Sequence, residues 1–156
     1  MKIGIIIYSK TNNTFSVAQR LQDALVRQGC DAVIDRIIPV DEDPDPKKPI
    51  TFRKLPDVSA YDVIIFGSPV WAFSLSWVMK AYLEQIATLG GKKVFAFVTK
   101  QMASKFTGGS KAVRSIKSAV VAKDANLDTA FIIGWNSKNR EELIADGIEQ
   151  IVKAVK

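Results

Sequence analysis

Four short apolar runs set the frame: "IGIII" (residues 3–7), "VIIF" (63–66), "VFAFV" (94–98) and "AFIIGW" (130–135). They do not alternate with polar residues, as a half-exposed strand would. Each is too short for an independent helix. Runs of this kind are strands buried on both faces, as in a parallel sheet covered by helices. A fifth run, "AVIDRI" (32–37), is more polar and suits an edge strand.

The segments between the runs have helical spacing. Val17, Leu21, Ala24 and Leu25 share one face, as do Met79, Tyr82, Leu83 and Ile86. Val113, Ile116 and Val120 give a third face, and Ile144, Ile148, Ile151 and Val155 a fourth. Gly29 is expected to stop the first helix and Gly90-Gly91 the second. "SKNREEL" opens the last, with Ser137 or Asn139 as N-cap and Glu141 or Glu142 against the helix dipole. Strands alternating with helices predict a three-layer α/β architecture, with right-handed crossovers placing helices on each face. All 156 residues are read as one domain. Five of the six prolines (Pro39, Pro44, Pro46, Pro49 and Pro56) fall in residues 39–60. That density excludes a long helix and predicts a surface loop with at most one short helical turn.

Composition removes several kinds of chemistry. There is no histidine, so imidazole metal sites and Ser-His or Cys-His nucleophile pairs are excluded. Cys30 is the one cysteine, which leaves no CxxC pair and no internal disulfide. No metal site and no catalytic side chain is expected. The apolar start is too short for a signal peptide, and no apolar run is long enough to cross a membrane. A soluble, cytoplasmic protein is the expectation. The formal charge of +6 reads either as a solvated lysine-rich surface or as a match for an acidic partner. No dense basic run and no arginine–aromatic interleaving appears, so nucleic acid is not the expected partner.

In an open parallel sheet, ligands bind beyond the carboxyl ends of the strands. Three loops therefore belong together. "YSKTNNT" crowds Ser9, Thr11, Asn12, Asn13 and Thr14 into the turn before a helix. Either Asn13 or Thr14 merely caps that helix, or the group holds an anion with hydroxyls and helix amides. A cap needs one such residue and five are present, which favours a phosphate held without arginine. Asn12 and Asn13 tolerate left-handed backbone angles that would wrap the loop around a ligand. The stretch matches neither GxxxxGK[ST] nor GxGxxG. In "FGSPVWAF", Gly67-Ser68-Pro69 is read as a tight exit from the strand. Trp71 and Phe73 then stand near the surface, either as core aromatics or as the flank of a flat apolar ligand. In "FVTKQMASKFTGGSKAV", Thr99 ends the strand, and Gly108 and Gly109 allow close backbone approach. Lys100, Lys105 and Lys111 add positive charge there.

Taken together, these stretches resemble the flavodoxin family. "YSKTNNT" resembles its S/T-x-T-G-N-T phosphate loop. "GSPVWAF…MKAYLE" is similar to the second loop, which lies against the isoalloxazine, and "FVT…GGSKAV" to the third loop and its helix. The likeness covers nearly the whole chain in order and spacing. It implies a flavodoxin-like fold of the short-chain type, a five-stranded parallel sheet in the order 2-1-3-4-5, and bound FMN. Ser9, Thr11, Asn12, Asn13 and Thr14 would hold the phosphate. Ser68, Pro69, Val70, Trp71, Ala72 and Phe73 would line the ribityl and ring, with Trp71 as the aromatic flank. Thr99, Lys100, Gln101 and Met102 would close the other side, joined by Gly108 and Gly109. The chain departs from the family pattern in three places. Asn12 stands where glycine is usual, the third loop lacks the acidic and tyrosine pattern, and the net charge is positive where typical flavodoxins are acidic. Lys100 and Lys105 near the ring would raise its reduction potential. The resemblance implies an electron carrier docking with an acidic redox partner. Two alternatives stay open: an NAD(P)H-dependent reductase of quinone or flavin, and a non-redox module that binds another phosphate ligand.

Overall fold

The structure is a computed structural model describing residues 1–104 and 107–156. Strands β1 (Lys2–Ile7), β2 (Asp31–Arg36), β5 (Val63–Trp71), β7 (Lys93–Lys100) and β8 (Asn126–Gly134) form a parallel sheet in the order β2-β1-β5-β7-β8. Counting only these five, that is the expected 2-1-3-4-5. Residues 38–60 hold the one short 3₁₀ turn allowed for, at Val58–Ala60, and differ from the expected plain loop by a short antiparallel pair, β3 (Ile38–Pro39) with β4 (Phe52–Lys54). β6 (Ser74–Leu75) folds back on the end of β5. The helices are α1 (Asn12–Arg27), α2 (Trp77–Gln85), α3 (Gly109–Ala122) and α4 (Arg140–Val155).

The continuous apolar runs follow from burial on both faces. Ile5 points into the core shared with α1 and α4, whose Val17, Leu21, Leu25, Ile144, Ile148 and Ile151 pack there. Ile6 points the other way, toward α2 and α3, where Met79, Tyr82, Leu83, Ile116 and Val120 are buried. Both isoleucines are fully buried, so neither face of β1 accepts a polar residue. No helix among the described residues is long and apolar enough to cross a membrane.

Several boundaries differ from the sequence expectation. α2 stops at Gln85, and Gly90 and Gly91 form a later left-handed turn before β7. The stretch between is not helical, because Ile86 and Leu89 are buried by tertiary packing. Gly67, Ser68 and Pro69 do not exit the sheet: β5 runs on through them to Trp71. β1 has ended at that level, its last pair being Ile7 with Gly67. Pro69 pairs only with β7, at Thr99, so its missing N–H breaks no ladder on the β1 side. β8 begins earlier than expected, and Trp135 lies just past its end. The expected basic residue Lys105 lies outside the described residues.

Candidate functional site

The carboxyl ends of β1, β5, β7 and β8 open on one edge of the sheet. At the first, Tyr8 follows β1 and its N–H donates to Gly67 O at 3.0 Å. Ser9 Oγ accepts from Phe15 N at 3.2 Å and donates to Thr11 O, which folds the loop back on the head of α1. Thr11 is the N-cap residue, and its side chain makes no capping bond. The first amides of α1 therefore face outward with the positive end of the helix dipole, and no acidic residue stands in the first turn. Asn12 and Asn13 are already helical. The left-handed role expected of them falls instead to Ala72 (φ 48) and Phe73 (φ 61).

The five polar side chains of this turn are divided among tasks. Asn12 is exposed, while Asn13 Nδ2 donates to Gln101 Oε1 at 3.4 Å across the site. Thr14 is buried, with Oγ1 2.8 Å from Thr99 Oγ1 on β7. An arginine that no motif in the sequence marks also stands beside the loop. Arg36, at the end of β2, donates to Ser9 O at 3.2 Å and lies over the Phe15 ring at 4.6 Å. Lys10 is ion-paired with Asp43.

In the second loop, Ser68 is fully buried and serves α2 rather than the open edge. Its Oγ lies 2.9 Å from Ser76 Oγ, and Ser76 in turn accepts from Met79 N at 3.2 Å as the N-cap of α2. Trp71 packs edge-on against Tyr8 (5.3 Å) and Trp77 (4.5 Å). Trp77 Nε1 donates to Pro44 O at 2.8 Å, which ties residues 39–60 to this corner. Burial and the nearby Asp43 carboxylate push the Tyr8 phenol up to about 12, so it stays protonated through the neutral range. Phe73, at the tip of the β5–β6 turn, is 60% exposed.

In the third loop, the Lys100 ammonium turns inward. It donates to Ser104 O and to Thr107 Oγ1 (3.0 Å), and burial holds it below the ordinary lysine range. Met102 is exposed. Gly108 (φ 94) sits directly on the second loop: a Cβ there would lie 2.3–2.5 Å from the Phe73 backbone. Gly109 is buried against Ile132.

One cleft of about 360 Å³ draws on all three loops. It is lined by Thr11 and Asn13, by Pro69, Val70 and Trp71, and by Thr99, Lys100 and Gln101. Ser9, Asn12, Thr14, Ser68, Ala72, Phe73, Met102, Gly108 and Gly109 do not line it. Trp135, expected only as the end of a strand, completes the wall. Its N–H donates to Lys100 O at 2.7 Å, and Asn136 N–H to Gln101 O at 3.0 Å. The Arg140 guanidinium stacks on the Trp135 ring at 4.6 Å and donates to its carbonyl at 3.0 Å. Applying the carboxyl-edge rule to the last strand as well as to the others would have found it.

Fold and geometry together define an open-sheet α/β protein with a cleft built by the loops at the carboxyl edge. Residues 1–130 match the family model described as "Flavodoxin-like fold", and the chain belongs to that family. Solved structures agree on the architecture. One is oxidised Flavodoxin 2 from Bacillus cereus (22% identity, 99% of each chain covered, TM-score 0.69). Another is a flavoprotein in complex with FMN from Lactobacillus acidophilus NCFM (18% identity, 94% of this chain and 97% of that one, TM-score 0.65). A third is an azoreductase from Bacillus anthracis str. Sterne (15% identity, 99% and 98%, TM-score 0.60). No curated protein matches the sequence.

Proposed function

We propose that this chain binds FMN in the cleft and carries electrons between redox partners. The observation that carries the proposal is the convergence of three loops and two indoles, Trp71 and Trp135, on one cleft beside an uncapped helix N-terminus. The donor set fits a phosphate dianion: amides, hydroxyls and a helix dipole, with no carboxylate in the first turn. The volume lies in the ~300–1,000 Å³ range of small-molecule sites. The solved flavodoxins and the FMN complex of the same fold support the choice of ligand.

On this reading, the Thr11 hydroxyl and the amides of Asn12, Asn13 and Thr14 hold the phosphate. Ser9 and Arg36 brace that turn from outside. Trp71 and Trp135 supply flat apolar walls, and the backbone of residues 69–71 and 99–101 lines the rest. FMN, when bound, supplies the electron-transfer chemistry; the protein supplies placement and electrostatics. Protonated Tyr8 adds no negative charge behind Trp71. We take all 156 residues as one domain and infer a cytoplasmic setting, where a lone half-buried thiol such as Cys30 is suited to reducing conditions.

A second reading is an NAD(P)H-dependent reductase of quinone or flavin. A neighbouring cleft of about 300 Å³, lined by Lys10, Asp43, Pro44, Trp71 and Trp77, shares the Trp71 ring and supports it by offering room for another planar group. Titration of the ligand-free protein with FMN and with riboflavin tests the main proposal. FMN should bind at least about 1.4 kcal/mol (tenfold) more tightly, because riboflavin lacks the phosphate. Equal affinity would contradict the phosphate assignment. Adding NADH or NADPH to the FMN-loaded protein separates the readings: a carrier keeps its yellow colour, and a reductase bleaches.

A further inference from the structure

The face formed by α2, α3 and the β5–β6 turn has an unbalanced charge. α3 carries Lys111, Arg114 and Lys117 and no acidic residue. Lys111 and Arg114 join Lys80 of α2 in lining a groove that holds about 700 Å³ and is floored by Leu75, Leu83 and Ala119, with Glu84 as its one carboxylate. Among the described residues, none of these four cations is in an ion pair. The opposite face, on α1 and α4, mixes its cations with Asp23, Glu142, Asp146 and Glu149. The net charge of the chain is therefore not spread evenly over its helices.

Phe73 stands at the end of this face. It is 60% exposed in a left-handed conformation (φ 61), next to Ala72 in the same region (φ 48). Glycine or asparagine normally occupies such positions, and a bulky residue there costs roughly 1–3 kcal/mol. The close seat of Gly108 on the Phe73 backbone holds the turn in place. A large aromatic is thus fixed outward at an energetic cost, beside a groove with an apolar floor and a cationic rim. Interfaces with protein partners combine those elements: an apolar anchor, and rim charges that steer association.

We propose that the α2–α3 groove docks an acidic protein segment, with Phe73 as the apolar anchor and Lys80, Lys111 and Arg114 as the steering charges. The segment's redox role rests on the electron-carrier reading; the face and its charge do not. The test is fluorescence anisotropy of the full chain with a labelled glutamate-rich peptide carrying one central leucine. Binding is expected at low salt and should weaken as salt rises. Lys80→Glu with Arg114→Glu should weaken it at least about tenfold. Arg27→Glu with Lys153→Glu, an equal charge change on the α1–α4 face, should change it less than about twofold. Phe73→Asn suits the left-handed angle, so it should leave stability unchanged or raised while weakening binding of the leucine peptide. Equal losses from both charge swaps, or no binding at low salt, would overturn the proposal. Tighter binding of duplex DNA through the same residues would also overturn it and make this a nucleic-acid face. The readout uses the peptide label, so measurements with and without FMN distinguish failure of this proposal from failure of the FMN site.

Discussion

Replacing Gly108 with alanine tests how the second and third loops are held together. Alanine adds one carbon, and its ideal position lies 2.3 Å from Phe73 C, 2.4 Å from Phe73 O and 2.5 Å from Phe73 Cα. Favourable carbon contacts lie near ~3.5–4.0 Å, and the colliding atoms are backbone that cannot rotate aside. Two terms add. The left-handed angle (φ 94) costs a residue with a Cβ roughly 1–2 kcal/mol. Forcing a methyl into occupied space costs about 1–3 kcal/mol more. The expected loss is about 2–5 kcal/mol. Gly29 provides the control. Its φ is 82, yet nothing lies within 4 Å of its Cβ position, so Gly29→Ala should lose only the first term. Urea unfolding of both variants, with the slope checked for constancy, measures the difference. A gap of about 1–3 kcal/mol supports the packing argument. Equal losses would refute it and would mean that the two loops are not in tight contact.

Two further predictions follow from buried polar groups. Thr14→Val or Thr99→Val removes one member of a hydroxyl pair and leaves the other without its partner, at a cost of about 1–3 kcal/mol. The double variant should lose less than the sum of the singles, and a double-mutant cycle with strict additivity would show that the hydroxyls do not interact. All three tyrosines are shifted upward by burial: Tyr8 to about 12, and Tyr61 and Tyr82 further, with the Asp35 carboxylate adding to both. A phenol whose folded value is raised stabilises the fold below the unfolded value of 10.0 and loses that contribution as pH climbs toward the folded one. Stability should therefore fall steeply above pH 10, and the ultraviolet phenolate band should appear late. Ordinary phenolate titration near pH 10 in the folded protein would refute the burial of these hydroxyls.

The sheet could be read from the sequence because burial on two faces leaves a run such as Ile5 and Ile6 no polar option. The helix faces were legible for the same reason on one side only. Misplaced boundaries trace to tertiary contacts. Ile86 and Leu89 extend the apolar spacing of α2, yet they pack as irregular chain. Pro69 looks like a strand breaker until the early end of β1 is known. Ala72 and Phe73 carry no turn signal, because the third loop fixes their conformation across more than thirty residues of chain. The role of Thr14 depends on Thr99, and that of Ser9 on Arg36, so neither was visible within "YSKTNNT" alone.

The most direct measurement is the visible absorbance spectrum of the purified protein after exposure to FMN and removal of excess, followed by extraction of whatever is bound. FMN binding in the cleft predicts a yellow protein that releases FMN in a one-to-one ratio with the chain, and a Trp71→Ala variant that retains markedly less. A colourless protein that retains no FMN, while remaining folded, would contradict it.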